Sequence, residues 1–191
     1  MIEQLISVIK KMVPLTPAEV GLIAVLFKEK YYSKGDFFLA EGEVCKQVGF
    51  VAKGLLRYYI NDDGEDKTYS FSQENGFVSN YESFVPQKPS VQIIQALEDC
   101  EMVVISYSGL EEFYKKVSSG ERFGRMAIEQ VFIRTLQEQN SFYTDTPELR
   151  YAKFIRDHPD LQQRLSQYYI ASYVGVKPQS LSRIRKRILQ K

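Results

Sequence analysis

The stretch Gln167-Tyr168-Tyr169-Ile170-Ala171-Ser172-Tyr173-Val174-Gly175-Val176-Lys177-Pro178-Gln179-Ser180-Leu181-Ser182-Arg183-Ile184-Arg185-Lys186 has residue types and a spacing that fit one chemistry, the gripping of a polyanion. Its second half, extended by Arg187, holds Gln179, Ser180, Ser182, Arg183, Arg185 and Lys186. A guanidinium fork matches the two acceptors of guanine, and a carboxamide matches the donor and acceptor of adenine. Arginine and lysine also neutralise phosphate, which adds affinity without sequence information. Tyr168, Tyr169 and Ser172 in the first half carry hydroxyls suited to clamping a phosphodiester backbone.

Such groups need a rigid frame, and the same stretch has the pattern of two short helices joined by a tight turn. Ala171 is small where the second helix crosses closely. Gly175 falls where the turn needs a left-handed residue, which glycine adopts without Cβ strain. Ile170, Val174, Val176, Leu181 and Ile184 fall on a shared apolar seam. Pro178 opens the second helix, where its missing N–H costs nothing. This is the pattern of a helix-turn-helix, whose second helix presents its N-terminal residues to base edges. Gln179, Ser180 and Arg183 are therefore the expected base readers, and Arg185, Lys186 and Arg187 the expected phosphate contacts. A structural αα-hairpin with a basic solvent face would share the pattern.

Charge is distributed to match. The 191-residue chain has 25 Lys+Arg and 24 Asp+Glu, net +1. Residues 1–146 hold 15 basic and 21 acidic side chains, net −6, whereas residues 147–191 hold 10 and 3, net +7. Six basic residues and no acidic one lie between Lys177 and Lys191. An acidic body with a basic end suits a polyanion at that end only, although charge alone equally fits a solvated tail.

Catalytic constellations are missing. There is no phosphate-cradling glycine loop and no Gly-x-Ser-x-Gly elbow. The lone His158 leaves little room for acid–base work and reads as a surface residue beside Pro159. The acidic pairs Asp62-Asp63 and Glu98-Asp99 lie in turns. No enzyme is expected, and no metal site. Cys45 and Cys100 are too few for a disulfide framework and read as buried small hydrophobes. No apolar run approaches the ~20 residues of a membrane span, and the N-terminus lacks the features of a secretory signal. No membrane partner is expected, and the cytoplasm is the default location.

Composition, with 44% hydrophobic and 26% charged residues, excludes wholesale disorder and a collagen-like fibre. The first 30 residues read as helix, with Thr16 as N-cap, Pro17 at the first position and Glu19 closing a capping box. From Tyr31 to Ile105 short β-rich runs alternate with turns. Asn61-Asp62-Asp63-Gly64 reads as a hairpin turn, and the spacing suggests a β-roll or jelly roll. Leu110–Val117 reads as a short helix, and residues from about 121 to 142 as a long one. The long helix has apolar positions (Phe123, Met126, Ala127, Ile128, Val131, Phe132, Ile133, Leu136) on more than one face. It must be covered on two sides, by the β-roll and by either a second copy of the chain or another domain of the same chain. Thr144–Pro147 reads as a hinge. A small helical unit follows, with Leu149, Ala152, Phe154, Ile155, Leu161 and Leu165 as its packing face. It is marginal for an independent core.

The terminal stretch resembles the helix-turn-helix of Crp/Fnr-type transcription regulators, and is especially similar to the short form common in Bacteroidetes. Upstream, Lys34-Gly35-Asp36-Phe37, Glu41-Gly42, Val51-Ala52-Lys53-Gly54 and Leu97-Glu98-Asp99-Cys100 resemble that family's cyclic-nucleotide-binding-type β-roll. The resemblance implies an α+β chain: a β-roll sensor domain with flanking helices over 1–120, a dimerisation helix and hinge over 121–145, and a helix-turn-helix unit over 146–191. Because the sequence ends soon after the second helix, the β-wing of other members is expected to be lacking. The implied function is a homodimer that binds two-fold symmetric double-stranded DNA and works on RNA polymerase. A signal in the roll would rotate the terminal units through the Thr144–Pro147 hinge. The alternative is a small-ligand sensor or interaction module whose terminal helices bind a protein.

Members that respond to cyclic AMP hold its phosphate and ribose with a Gly-Glu pair and an Arg-Ser/Thr pair. Here Ser79-Asn80 and Pro89-Ser90 align with those positions, so both the cation and the ribose carboxylate are missing. Glu82 and Lys88 sit nearby, but an ammonium lacks the bidentate geometry of arginine. Cyclic nucleotide is therefore not the expected ligand and no cofactor is expected. Ser79, Asn80, Glu82, Lys88 and Ser90 are left as candidate lining for a different small effector. Two distant cysteines cannot hold the iron–sulfur cluster of the family's oxygen sensors.

Overall fold

The computed structural model describes residues 1–189; Lys191, counted in the basic end, lies outside them. The elements in chain order are α1 (Ile2–Met12), α2 (Pro17–Leu26), β1 (Lys28–Tyr32), β2 (Phe37–Leu39), β3 (Gln47–Lys53), β4 (Leu56–Asp62), β5 (Glu65–Ser72), β6 (Phe77–Val78), α3 (Tyr81–Phe84), β7 (Gln92–Ala96), β8 (Cys100–Ser106), α4 (Tyr107–Lys116), α5 (Gly120–Thr144), α6 (Pro147–Asp157), α7 (Leu161–Arg164), α8 (Gln167–Val174) and α9 (Pro178–Leu189). They pack as two compact units. One contains residues 1–61 and 70–129; the other contains the hairpin tip 62–69 and the chain from Gln130 onward.

The first unit is an α+β roll. Its sheets have strand orders β1-β8-β3-β6 and β2-β7-β4-β5. The period-two alternation of strands splits their apolar residues between two cores. Val51, Met102 and Val104 face Leu39, Leu56, Ile94 and Ala96 of the other sheet. Phe50, Val103 and Ile105 point the opposite way and are covered by Leu5, Ile9, Ile23, Phe113 and Phe123 from the helices. Both cysteines are free and buried, and burial pushes the Cys100 thiol up to about 11.

Thr16 caps α2 as the sequence implies, and Glu19 completes the capping box. The Glu19 carboxylate accepts from the Thr16 N–H at 2.7 Å and, across the fold, from the N–H and hydroxyl of Ser118, each at 2.7 Å. The hairpin turn centres on Asp63 and Gly64, both at positive φ, the type I′ arrangement that matches strand twist.

Helix does not run through the first 30 residues. It stops at Leu26, and Lys28–Tyr32 forms β1, paired antiparallel with β8. In the terminal unit Phe154, Leu161 and Leu165 are buried, but Leu149 is 46% exposed and Tyr151 is buried instead. Ala152 is also exposed. The Thr146 cap and Pro147 set the phase of α6 so that Tyr151 and Phe154, three apart, share its inner face.

Helix α5 changes character along its length. Phe123 is buried, and Met126, Ala127 and Ile128 are half-buried. Val131, Phe132, Ile133 and Leu136 are 40–60% exposed.

Candidate nucleic-acid interface

Helix α8 is capped by the Ser166 hydroxyl, which accepts from the Tyr169 N–H. It ends at Gly175, with φ 75° and ψ 39° in the left-handed region. The Gly175 N–H donates to the Ser172 carbonyl and the Val176 N–H to that of Ala171, which is the full Schellman closure. Pro178 is the first residue of α9. Ile170, Ala171, Val174, Leu181 and Ile184 are all at most 3% exposed. Val176, expected in the seam, is half-buried. Bulk at Ala171 would therefore separate the two helices.

With that seam closed, the opposite face of α9 is turned out. Gln179, Ser180, Ser182, Arg183, Lys186 and Arg187 are exposed, and Arg185 is half-buried. The Arg187 guanidinium meets the Glu148 carboxylate of α6. Both side chains are well exposed, so a phosphate can compete for that arginine. Tyr168 is exposed and Tyr169 half-buried, with ring centroids 5.8 Å apart. Ser172 does not face out. Its hydroxyl donates to the Asp66 carbonyl at 2.8 Å and accepts from the Thr68 N–H at 2.9 Å, both in the hairpin tip of the same unit. Tyr173, from the same helix, hydrogen-bonds Glu138, and burial raises its phenol pKa.

His158 is not a simple surface residue. It is half-buried with its ring 5.6 Å from Phe154, and burial lowers its pKa. Sequence reading also missed Arg150. It donates to the carbonyls of Val174, Asp145 and Phe142 at 2.7, 2.7 and 3.2 Å. Its type and its place in a helix gave no signal of which carbonyls it would reach.

The residues expected to line an effector site form a hydrogen-bonded knot around α3. The Asn80 carboxamide oxygen caps the helix by accepting from the Ser83 N–H, and its NH2 donates to the Ser90 hydroxyl at 2.7 Å. That hydroxyl donates to the Gln92 carbonyl and accepts from the Gln92 N–H. Ser79 donates to the Gln47 carbonyl. Asn80 and Ser90 are each 4% exposed. Glu82 and Lys88 are exposed at the rim, and the Glu82 carboxylate accepts from Gln92 Nε2. A cyclic phosphate needs a cation and free donors. The Asn80 NH2 donates to Ser90, the Ser90 hydroxyl donates to the Gln92 carbonyl, and no basic side chain takes part in these bonds, so the residues present do not fit that ligand. Among the described residues no group of His, Cys, Asp and Glu is placed to hold a metal ion, and no helix is long and apolar enough to cross a membrane.

A roll of two four-stranded sheets, a long following helix and a terminal helix-turn-helix define a class. The cyclic nucleotide-binding domain family matches residues 29–129, and the chain belongs to that family. Its fold is similar to those of solved structures, a putative transcriptional regulator of the Crp/Fnr family from Eubacterium rectale among them. FixK2 from Bradyrhizobium japonicum superimposes with a TM-score of 0.71 at 18% identity, over 86% of this chain and 85% of that one. The c-di-GMP-responsive global regulator CLP of Xanthomonas campestris gives 0.70 at 15% identity, over 92% of both chains. A cyclic nucleotide-binding domain containing protein from Listeria monocytogenes gives 0.73 at 15% identity, over 98% of this chain and 91% of that one. No curated protein matches by sequence.

Proposed function

We propose that this chain is a sequence-specific DNA-binding transcription regulator of the Crp/Fnr type. The observation that carries the reading is the exposed polar and basic face of α9, held out by the buried Ile170, Val174, Leu181 and Ile184 between it and α8. Gln179, Ser180 and Arg183 read base edges in the major groove, and Ser182, Arg185, Lys186 and Arg187 hold phosphates, with Tyr168 and Tyr169 beside them. Ser172 acts on the hairpin rather than on DNA. A second copy covers the exposed Val131, Phe132, Ile133 and Leu136 of α5, so the working form is a homodimer reading a two-fold symmetric site. Two recognition helices then enter successive grooves about 34 Å apart. The regulator acts on RNA polymerase in the cytoplasm, is not an enzyme and takes no cyclic nucleotide. An effector of another kind would meet the roll at the rim marked by Glu82 and Lys88.

Selection of bound duplexes from a random pool tests this reading. A palindromic consensus is expected, and its affinity falls with salt at a slope of about −0.9 per phosphate contacted. Failure to enrich any duplex overturns the reading and favours a protein partner for the terminal helices. Cyclic AMP added to the protein is expected to leave its thermal midpoint unchanged, and a shift would overturn the reading of the Asn80–Ser90 knot.

A further inference from the structure

The corner between α5 and α6 was expected to be a hinge, and its bonding is that of a brace. Helices α5 and α8 both end near it, and the last carbonyls of a helix have no partner within the helix and carry partial negative charge. The Arg150 guanidinium lies between these two ends. It donates to Phe142 and Asp145 at the end of α5 and to Val174 at the end of α8. Its planar fork suits several acceptors at fixed angles. The same group lies 5.0 Å from the centroid of the Phe142 ring. A Cβ on Gly175 would come within 2.9 Å of Phe142 Cε2 and 3.4 Å of Arg150 Nη2. Glycine at 175 thus serves the left-handed turn and also lets the brace close. A second tie crosses the corner, where Asp145 accepts from Lys153 Nζ at 2.5 Å and from the Ser141 hydroxyl.

We propose that Arg150 is a positioning residue, which locks the helix-turn-helix to the last turn of α5 so that residues 144–147 form a rigid corner and not a pivot. The proposal rests on the reading of α9 as the DNA-contacting helix and of the α5 stripe as the seat of a second copy. The stripe and α9 belong to one compact unit, and Arg150 joins the two. The pairing of α5 helices thereby dictates the distance and angle between the two α9 helices. The consequence is a strict requirement for the spacing of half-sites, because each added base pair turns the far half-site by about 34° and moves it by about 3.4 Å.

The test uses the full chain and the palindrome selected from the random pool, together with versions whose half-sites are one base pair closer or farther apart, and a single half-site. Wild-type protein is expected to prefer the selected spacing by about tenfold or more, the scale of one mismatched base pair. Arg150→Ala should bind the single half-site as wild type does, yet discriminate among spacings by no more than about twofold. Arg150→Lys keeps the charge but reaches one carbonyl instead of three, and should also lose discrimination while retaining half-site binding. Retention of full spacing discrimination by Arg150→Ala would overturn the proposal. If the alanine variant is unfolded, the lysine variant decides. Loss of half-site binding in both would reduce Arg150 to a fold element and overturn the proposal while leaving the DNA reading intact. Failure of the wild type to select any duplex would remove both.

Discussion

The knot around α3 and the outer face of α9 are built from similar small and polar residues, yet they use them oppositely. Around α3, Asn80, Ser83 and Ser90 are at most 4% exposed and direct their hydrogen bonds into neighbouring backbone and each other. On α9, Gln179, Ser180, Arg183 and Lys186 stand in solvent above an apolar seam. A buried polar group left without its partner costs the full desolvation of that group, so the first set is tied to stability. An exposed polar group contributes little to folding, so the second set is open to selection for recognition. Within one chain, Asn80, Ser83 and Ser90 fall inside the family's matched residues 29–129, while the exposed face of α9 lies outside them.

The sharpest way to break this contrast is to attack the frame under α9. Leu181 is 0% exposed, and Leu181→Ala is expected to cost about 2–5 kcal/mol. The variant should lose helical signal in urea earlier than wild type, and lose DNA affinity together with it. A mild effect would mean that the reading face has no rigid support. The recognition set itself should behave differently. Arg183→Ala is expected to cost about 1–3 kcal/mol in binding to the selected site and to relax preference there, with no change in thermal midpoint. Lys186→Ala should weaken all duplexes alike and reduce the salt slope by about 1. Equal loss of site preference in both would erase the division between base readers and phosphate contacts.

Asn80→Ala probes the other side of the comparison. It removes a helix cap and the bond to Ser90, and is expected to cost about 1–2 kcal/mol of stability. The preferred DNA sequence should not change. A variant that kept its midpoint but altered DNA affinity would show that the knot is a signalling site and not a scaffold.

Features written locally were legible in the sequence: the Thr16–Glu19 box, the Asp63-Gly64 turn, the Gly175 and Pro178 punctuation, and the buried seam of α8 and α9. The box, the turn and the punctuation each depend on residues within about four positions of one another, and the seam repeats at helical spacing along two helices joined by a short turn. Strand β1 was hidden because Lys28-Glu29-Lys30-Tyr31 has no apolar alternation. It is an edge strand with four exposed residues in succession, and charge on an edge guards against unwanted pairing. The packing face of α6 was misjudged because Leu149 and Tyr151 are both apolar enough to be chosen, and only the neighbouring helices decide between them. Asn80 meets Ser90, and Arg150 meets Val174, across separations that only the fold closes. Spacing therefore identified the face of α9 that is exposed, but not the bonds that tie Asn80 to Ser90 or Arg150 to Val174.

The last test of the stability role assigned to the roll's internal polar groups is read along the pH axis and concerns Glu19. The Thr16 N–H, the Ser118 hydroxyl and N–H, and then the Thr16 hydroxyl all donate to its carboxylate and hold its pKa at about 2, against an ordinary 4.5. Folding therefore favours the ionised form. The stabilisation is complete above about 4.5 and is lost progressively as pH falls from there toward about 2. Stability of wild-type protein, followed by urea midpoints through that window, should decline more steeply than that of Glu19→Gln, which has no proton to gain. The two profiles should converge toward the acid end, because protonated Glu19 and glutamine both present a neutral group to Ser118. Parallel profiles across the window would mean that these donors do not distinguish the ionised from the neutral group. In that case the tie between the start of α2 and the turn after α4 would rest on apolar packing by Ile23, Phe113 and Val117.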